Sequence, residues 1–105
     1  MDELEGFQRR HLRGLAHALS PVVMIGKEGL SDAVVAKTEA ELLAHELIKV
    51  RFLGWKDEKR AILGDLSARM RAELVGVVGH VGILLRQNRE PERRKIRVPA
   101  RPRRG

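Results

Sequence analysis

Two glycines three positions apart, Gly26 and Gly29, enclose Lys27 and Glu28 directly after a short apolar run. Glycines in such a loop let an anion approach the main chain, because they carry no Cβ atom and can adopt positive φ. Backbone N–H groups and the mobile ammonium of Lys27 can then meet a phosphate, and clamping a nucleic-acid backbone is one known use of this loop. An ordinary turn has the same composition, and the charge of Glu28 opposes phosphate binding.

A second candidate surface comes from the helical stretch at residues 4–18. At 100° per residue, one arc of this helix contains only basic side chains, which are Arg9, Arg10, Arg13 and His17. The opposite arc is apolar and is expected to face the core, with Leu4, Phe7, Leu15 and Leu19. Solvated helix faces usually mix charges of both signs, so this stripe favours a polyanionic partner, with a merely solvated face as the alternative.

The strand predicted at residues 47–53 adds two further basic residues. Alternation sends Ile48, Val50 and Phe52 to one sheet face and sends Lys49 and Arg51 to the other. Trp55 follows this strand beside Lys56, where it either packs against the next helix or stacks on a base. Because the chain has only three aromatic residues, recognition of backbone and shape is favoured over a stacking platform.

These residues are positioned by an alternating series of elements, in the order α-β-α-β-α-β-β. Strands are predicted at 22–25, 47–53, 74–78 and 81–85, and the last two form a hairpin around Gly79 and His80. Ser31 with Asp32, and Asp57, supply N-cap chemistry for the second and third helices. The expected fold is a two-layer α/β sandwich, in which a four-stranded mixed sheet has its helices on one face.

Composition limits the class of protein. A chain of 105 residues without cysteine, signal peptide or long apolar run is expected to form one cytoplasmic domain with no membrane contact. Residues 86–105 contain nine basic and two acidic residues, so they carry the whole net charge of +7. We expect one domain at residues 1–98 and a basic, Arg- and Pro-rich disordered tail at 99–105, which is either attracted to polyanions or only solubilising.

Enzyme chemistry is not indicated. The four histidines are widely spaced and lack cysteine partners, and Lys49 stands where a zincin motif beginning at His45 needs its second histidine. The sequence contains neither a phosphate-binding Walker loop nor a nucleophile elbow. We therefore expect no catalytic residue, metal, cofactor or small-molecule substrate.

Two sequence blocks resemble the CRM domain, which is named for chloroplast RNA splicing and ribosome maturation and includes stand-alone, YhbY-like bacterial proteins. The blocks are Leu-x-Gly-Leu-Ala-His, beginning at Leu12, and His-Glu-Leu-Ile-Lys-Val, beginning at His45. The resemblance covers residues 7–99 and includes a closing hairpin with Gly79, Leu84 and Arg86. It implies a fold similar to the C-terminal domain of translation initiation factor three, with an added N-terminal helix and a KH-like Gly-x-x-Gly loop.

The resemblance also implies RNA binding and association with precursors of the large ribosomal subunit. We therefore predict a monomeric protein that binds structured rRNA backbone and assists assembly of that subunit. The predicted contact residues are Gly26, Lys27, Glu28, Gly29, Arg9, Arg10, Arg13, His17, Lys49, Arg51 and Arg86. A general RNA-binding or RNA-chaperone protein and a permanently ribosome-associated protein remain the alternatives.

Overall fold

Residues 4–100 are described by a computed structural model, and they form three α-helices, four β-strands and one short 3-10 helix. In chain order the elements are α1 (Gly6–Ala16), β1 (Val23–Ile25), α2 (Asp32–His45), β2 (Leu47–Phe52), α3 (Lys59–Met70), β3 (Glu73–Val78), β4 (Val81–Leu85) and the 3-10 helix Pro91–Arg93. The predicted order is confirmed. The Ser31 hydroxyl caps α2 by accepting the Val34 N–H, whereas Asp57 does not cap α3, whose N-cap is Glu58.

The four strands form one mixed sheet in the order β1-β2-β4-β3. β1 and β2 run parallel, with Ile25 opposite Phe52, as expected for strands connected by a helix. β4 lies between β2 and β3 and is antiparallel to both, so the predicted hairpin is confirmed. A register shift between Leu74 and Gly76 marks a bulge in β3.

α2 and α3 cover one face of the sheet. The side chains buried there are Val23, Ile25, Leu42, Ile48, Val50, Phe52, Leu63, Leu66, Met70 and Leu84. α3 approaches β4 closely at Gly82, where a Cβ atom would lie 2.5 Å from a methyl carbon of Leu63. A side chain at this position would force the fully buried Leu63 out of its place in the core, so glycine gives the closest packing of α3 on β4.

α1 packs against the other face of the sheet, and the expectation that all helices cover one face is therefore wrong. The buried cluster on this face contains Leu4, Leu12, Ala16, Leu47, Val75, Ile83 and Leu85. The helix is also rotated from its predicted orientation, because Leu15 and Leu19 are 41% and 39% exposed whereas Leu12 and Ala16 are fully buried. The small side chain of Ala16 lets the helix approach the sheet, which a search for large apolar residues does not detect. The mixed sheet thus has a partial third layer.

The chain after β4 is fixed to the domain by a buried carboxylate. Glu46 follows α2, is 3% exposed and has a positive φ of 66°. Its Oε1 accepts the backbone N–H groups of Lys95 and Ile96, and its Oε2 accepts that of Asn88, each at 2.8 Å. One side chain therefore holds both ends of the 88–96 segment.

Beyond this segment the chain runs along α1. Ile96 and Val98 pack against the second buried cluster, and the Pro99 carbonyl accepts the side-chain amide of Gln8 at 2.9 Å. The arginines at positions 101, 103 and 104, on which the predicted disordered tail depends, lie outside the described residues.

Candidate nucleic-acid interface

The loop at residues 26–29 connects β1 to the segment that enters α2. Its turn is closed by a hydrogen bond from the Gly29 N–H to the Gly26 carbonyl at 3.0 Å. Of the two glycines, Gly29 has a positive φ, of 65°, and Gly26 does not. The backbone N–H groups of Lys27 and Glu28 have no acceptor within residues 4–100, and both residues are exposed. This loop, called the 26–29 loop below, thus offers two unused amide donors beside one ammonium.

A shallow depression of about 280 Å³ lies in front of the 26–29 loop and also contacts Ser31 and Val34. Since α2 begins at Asp32, the depression lies at the positive end of that helix. Lys27 adds positive charge, while Glu28 and Asp32 reduce it. An anion in this depression would be held chiefly by main-chain donors and Lys27.

The basic stripe of α1 lies beside the sheet instead of pointing away from it. Arg10, Arg13 and His17 are exposed, and Arg9 is half-buried. The aliphatic part of Arg13 lies over the β3 bulge, because its Cδ is 3.2 Å from the position that a Cβ atom on Gly76 would occupy. The guanidinium group of Arg13 therefore borders the sheet face on which α1 packs.

Lys49 and Arg51 lie on this same sheet face, as alternation predicted. The ammonium of Lys49 donates to the Leu19 carbonyl at 2.9 Å and to the His17 carbonyl at 3.5 Å, so it joins β2 to the end of α1. Arg51 is exposed and lies opposite Met24 of β1, two residues before the 26–29 loop begins. We call Arg9, Arg10, Arg13, His17, Lys49 and Arg51 the basic surface. On β1, the exposed Met24 lies between Arg51 and the 26–29 loop.

Arg86 is not part of this arrangement. Arg86 and the 26–29 loop lie at opposite ends of β2. Arg86 follows the β4 residue that pairs with Leu47, at the start of β2, whereas the loop follows the β1 residue that pairs with Phe52, at its end. Its guanidinium forms two hydrogen bonds with the Glu39 carboxylate, at 2.7 and 2.8 Å, and a third with the Met70 carbonyl at 2.8 Å. The hydrogen bonds between the two side chains raise the pKa of Arg86 and lower that of Glu39. The structure therefore gives Arg86 a role in joining α2, α3 and β4.

Trp55 is hydrogen-bonded to the 26–29 loop, a contact that was not predicted from the sequence. Its indole N–H donates to the Gly26 carbonyl at 2.7 Å, and its ring lies 3.7 Å from the position of a Cβ atom on Gly29. The ring also packs against the first buried cluster, which agrees with the packing alternative. A lone tryptophan just after a strand is a weak signal, since nothing in the local sequence links residue 55 to residue 26.

Within residues 4–100, no helix is both long and apolar enough to cross a membrane, and no three acidic or histidine side chains are grouped as metal ligands. The described residues instead present an α/β domain with a loop between two glycines after β1 and basic residues on α1 and β2. Residues 4–86 match the CRS1/YhbY (CRM) domain. The chain belongs to this family, so the resemblance inferred from its sequence blocks is confirmed.

Several known proteins are similar to this chain. It is 39% identical over 100 residues to an "RNA-binding protein" of Haemophilus influenzae, and the matched region covers 94% of this chain and 98% of that protein. It is 36% identical over 87 residues to the "Probable RNA-binding protein PA4753" of Pseudomonas aeruginosa. That match covers 82% of this chain and 84% of the relative. The solution structure of SAV1595 from Staphylococcus aureus has a TM-score of 0.78 and 36% identity, covering 91% and 99% of the two chains.

Proposed function

We propose that this protein binds the phosphate backbone of structured RNA through the 26–29 loop and the basic surface. The observation that carries the proposal is that Arg51 of the basic surface lies opposite Met24, two residues before the 26–29 loop begins, although α1, β2 and the loop are three separate elements. The unused N–H groups of Lys27 and Glu28 and the ammonium of Lys27 would contact one phosphate group. Exposed guanidinium groups of Arg10, Arg13 and Arg51 would contact others, since arginine pairs well with phosphate. The names of the relatives support RNA as the partner.

Binding without turnover is part of the proposal. Contacts to phosphate fix the position and orientation of a protein on RNA but carry no sequence information directly. The shape of the basic surface would therefore select a folded RNA segment. The positive residues after β4 would increase the encounter rate and the affinity through long-range attraction.

The RNA target that we propose is rRNA in precursors of the large ribosomal subunit, where the protein assists assembly. The support for this target is the family resemblance, which implies such an association. Sucrose-gradient sedimentation of the tagged protein at moderate salt tests it. We expect co-migration with particles lighter than the mature large subunit. Equal presence in mature ribosomes would indicate a permanent ribosomal role, and absence from all ribosomal fractions would exclude the target.

RNA binding itself is tested with purified protein and a fragment of large-subunit rRNA. Replacing both Arg10 and Arg13 by glutamine removes two positive charges from the basic surface, and we expect a loss of affinity of about tenfold or more. Lys37→Gln is the matched control, because Lys37 is an exposed residue of α2, on the other side of the sheet, and pairs with Glu41. Equal affinities of the double variant and this control would contradict the proposed surface.

A further inference from the structure

A second groove, of about 380 Å³, adjoins the phosphate depression at Gly29. Its apolar part consists of Leu30, Trp55 and Ile62, and its rim includes Glu58 and Asp65 of the α3 region. Gly29 lines both the groove and the depression, so the two are neighbours.

The wall of this groove is fixed in place. Trp55 donates its indole N–H to the Gly26 carbonyl at 2.7 Å, and it has a positive φ of 60°, which is rare for a large side chain. Leu30, Trp55 and Ile62 all pack against the first buried cluster while remaining half-exposed on the groove side. The groove therefore has a rigid aromatic and aliphatic surface before any ligand binds, which lowers the entropic cost of binding.

We propose that this groove is a subsite for one unpaired nucleobase of the RNA whose phosphate lies at the 26–29 loop. The inference rests on the proposed function. Through its ribose, a nucleotide carries an apolar ring a short distance from its phosphate, which matches the neighbouring groove and depression. Stacking on the indole and contact with Leu30 and Ile62 would hold the ring.

The charges of the two sites fix the orientation of the nucleotide. The carboxylates of Glu58 and Asp65 would repel a phosphate in the groove, whereas Lys27 and the free N–H groups attract it to the depression. Carboxylates also accept hydrogen bonds from amino groups of bases. Arg69 contacts both carboxylate oxygens of Asp65, at 3.3 and 3.4 Å, so the exposed Glu58 is the more available acceptor and Asp65 can accept only through its remaining lone pairs. The subsite therefore favours adenine, cytosine or guanine, which carry an exocyclic amino group, over uracil, whose base edge offers a single N3–H donor.

Trp55 is itself the reporter for a test, because the chain has one tryptophan and no tyrosine. The full-length protein is titrated with single-stranded oligo(A), oligo(C) and oligo(U) of about eight nucleotides, and separately with inorganic polyphosphate. We expect oligo(A) and oligo(C) to quench the emission of Trp55 through stacking, with weaker quenching by oligo(U) and none by polyphosphate. Equal emission changes with polyphosphate and oligo(A) would overturn the proposal.

Variants separate this subsite from the proposed function. Trp55→Leu removes the stacking surface and is expected to weaken oligo(A) binding about tenfold. Asp65→Ala lies on the exposed side of α3 and tests the subsite even if the tryptophan variant does not fold. It is expected to reduce the preference for oligo(A) over oligo(U). The subsite proposal would be overturned if Asp65→Ala kept the preference for oligo(A) over oligo(U) and Trp55→Leu kept the affinity for oligo(A).

The phosphate side has its own control in Lys27→Ala, which leaves every groove residue in place. If Lys27→Ala weakens binding to the rRNA fragment while the groove variants do not affect oligonucleotide binding, the subsite is wrong and the proposed function stands. If neither rRNA nor oligonucleotides bind the unmodified protein, both proposals are wrong.

Discussion

Replacing Glu46 by alanine is expected to release the 88–96 segment and lower the free energy of unfolding by about 3 kcal/mol. A hydrogen bond to a charged group contributes roughly 1.5–3 kcal/mol, and this carboxylate accepts three. The sum is an upper bound, because Asn88 and Lys95 are exposed residues whose N–H groups water can reach after release. A loss of about 3 kcal/mol corresponds to a fall in Tm of roughly 10–20 °C for a domain of this size.

Glu46→Gln refines this test. Its carbonyl oxygen can still accept the Lys95 and Ile96 N–H groups, but its amide NH₂ then faces the N–H of Asn88. We expect a smaller loss, of about 1–2 kcal/mol, with increased hydrogen exchange at residue 88. Glu41→Gln in α2 is the matched control, since Glu41 pairs with the exposed side chains of Lys37 and His45, and surface ion pairs contribute only about 0–1 kcal/mol. Urea unfolding measures all three variants, and a Glu46→Ala value within about 0.5 kcal/mol of the control would refute the anchoring role.

The same carboxylate makes stability dependent on pH. Burial alone would raise the pKa of Glu46, but three backbone N–H donors and the charge of Arg94 together outweigh it, so the pKa is lowered. The contribution to stability is then complete above the ordinary value of 4.5 and is lost as pH falls through the folded-state pKa. Glu46→Gln is expected to flatten the fall of Tm in acid. Some dependence will remain, because Arg86 lowers the pKa of Glu39 in the same direction.

Three further variants test other parts of the molecule. Gly29→Asp is expected to weaken rRNA binding about tenfold or more, because it adds a negative charge at a φ of 65° while costing about 1 kcal/mol of stability; filter binding and unfolding curves measure the two effects. Arg86→Ala should lower stability by about 1–3 kcal/mol through the loss of its bonds to Glu39 and Met70, with little change in rRNA affinity. Truncation after Pro99 removes three arginines. It should lower the slope of log affinity against log salt concentration by up to about 2–3, with Tm unchanged.

Much of the fold could be predicted because local chemistry determined it. The alternation from Leu47 to Phe52 assigned Ile48, Val50 and Phe52 to the correct face, and the glycine at position 79 marked the hairpin. The face of α1 could not be predicted in this way. Its buried seam uses Leu12 and Ala16, and counting large apolar residues selects Leu15 and Leu19 instead.

The candidate site shows the same division between local and distant contacts. The 26–29 loop and the basic residues of α1 and β2 were accessible from spacing alone. The positions of Lys49, Arg86 and Trp55 depend on partners 16 to 47 residues away in the chain. A sequence pattern identifies a positive or aromatic side chain, but it does not show whether that side chain already donates a hydrogen bond to a distant carbonyl or carboxylate.

Glu46 and Trp55 share an arrangement that explains how a small sheet holds two irregular segments. Each is a non-glycine residue with positive φ, a conformation that costs roughly 1–3 kcal/mol. Each offsets this cost with short hydrogen bonds to a segment that has little regular structure of its own, the 88–96 segment for Glu46 and the 26–29 loop for Trp55. The two anchors lie at opposite ends of β2, before Leu47 and after Phe52, and share no partner. Loss of the Glu46 anchor should therefore leave the geometry of the 26–29 loop, and the phosphate contacts proposed for it, unchanged.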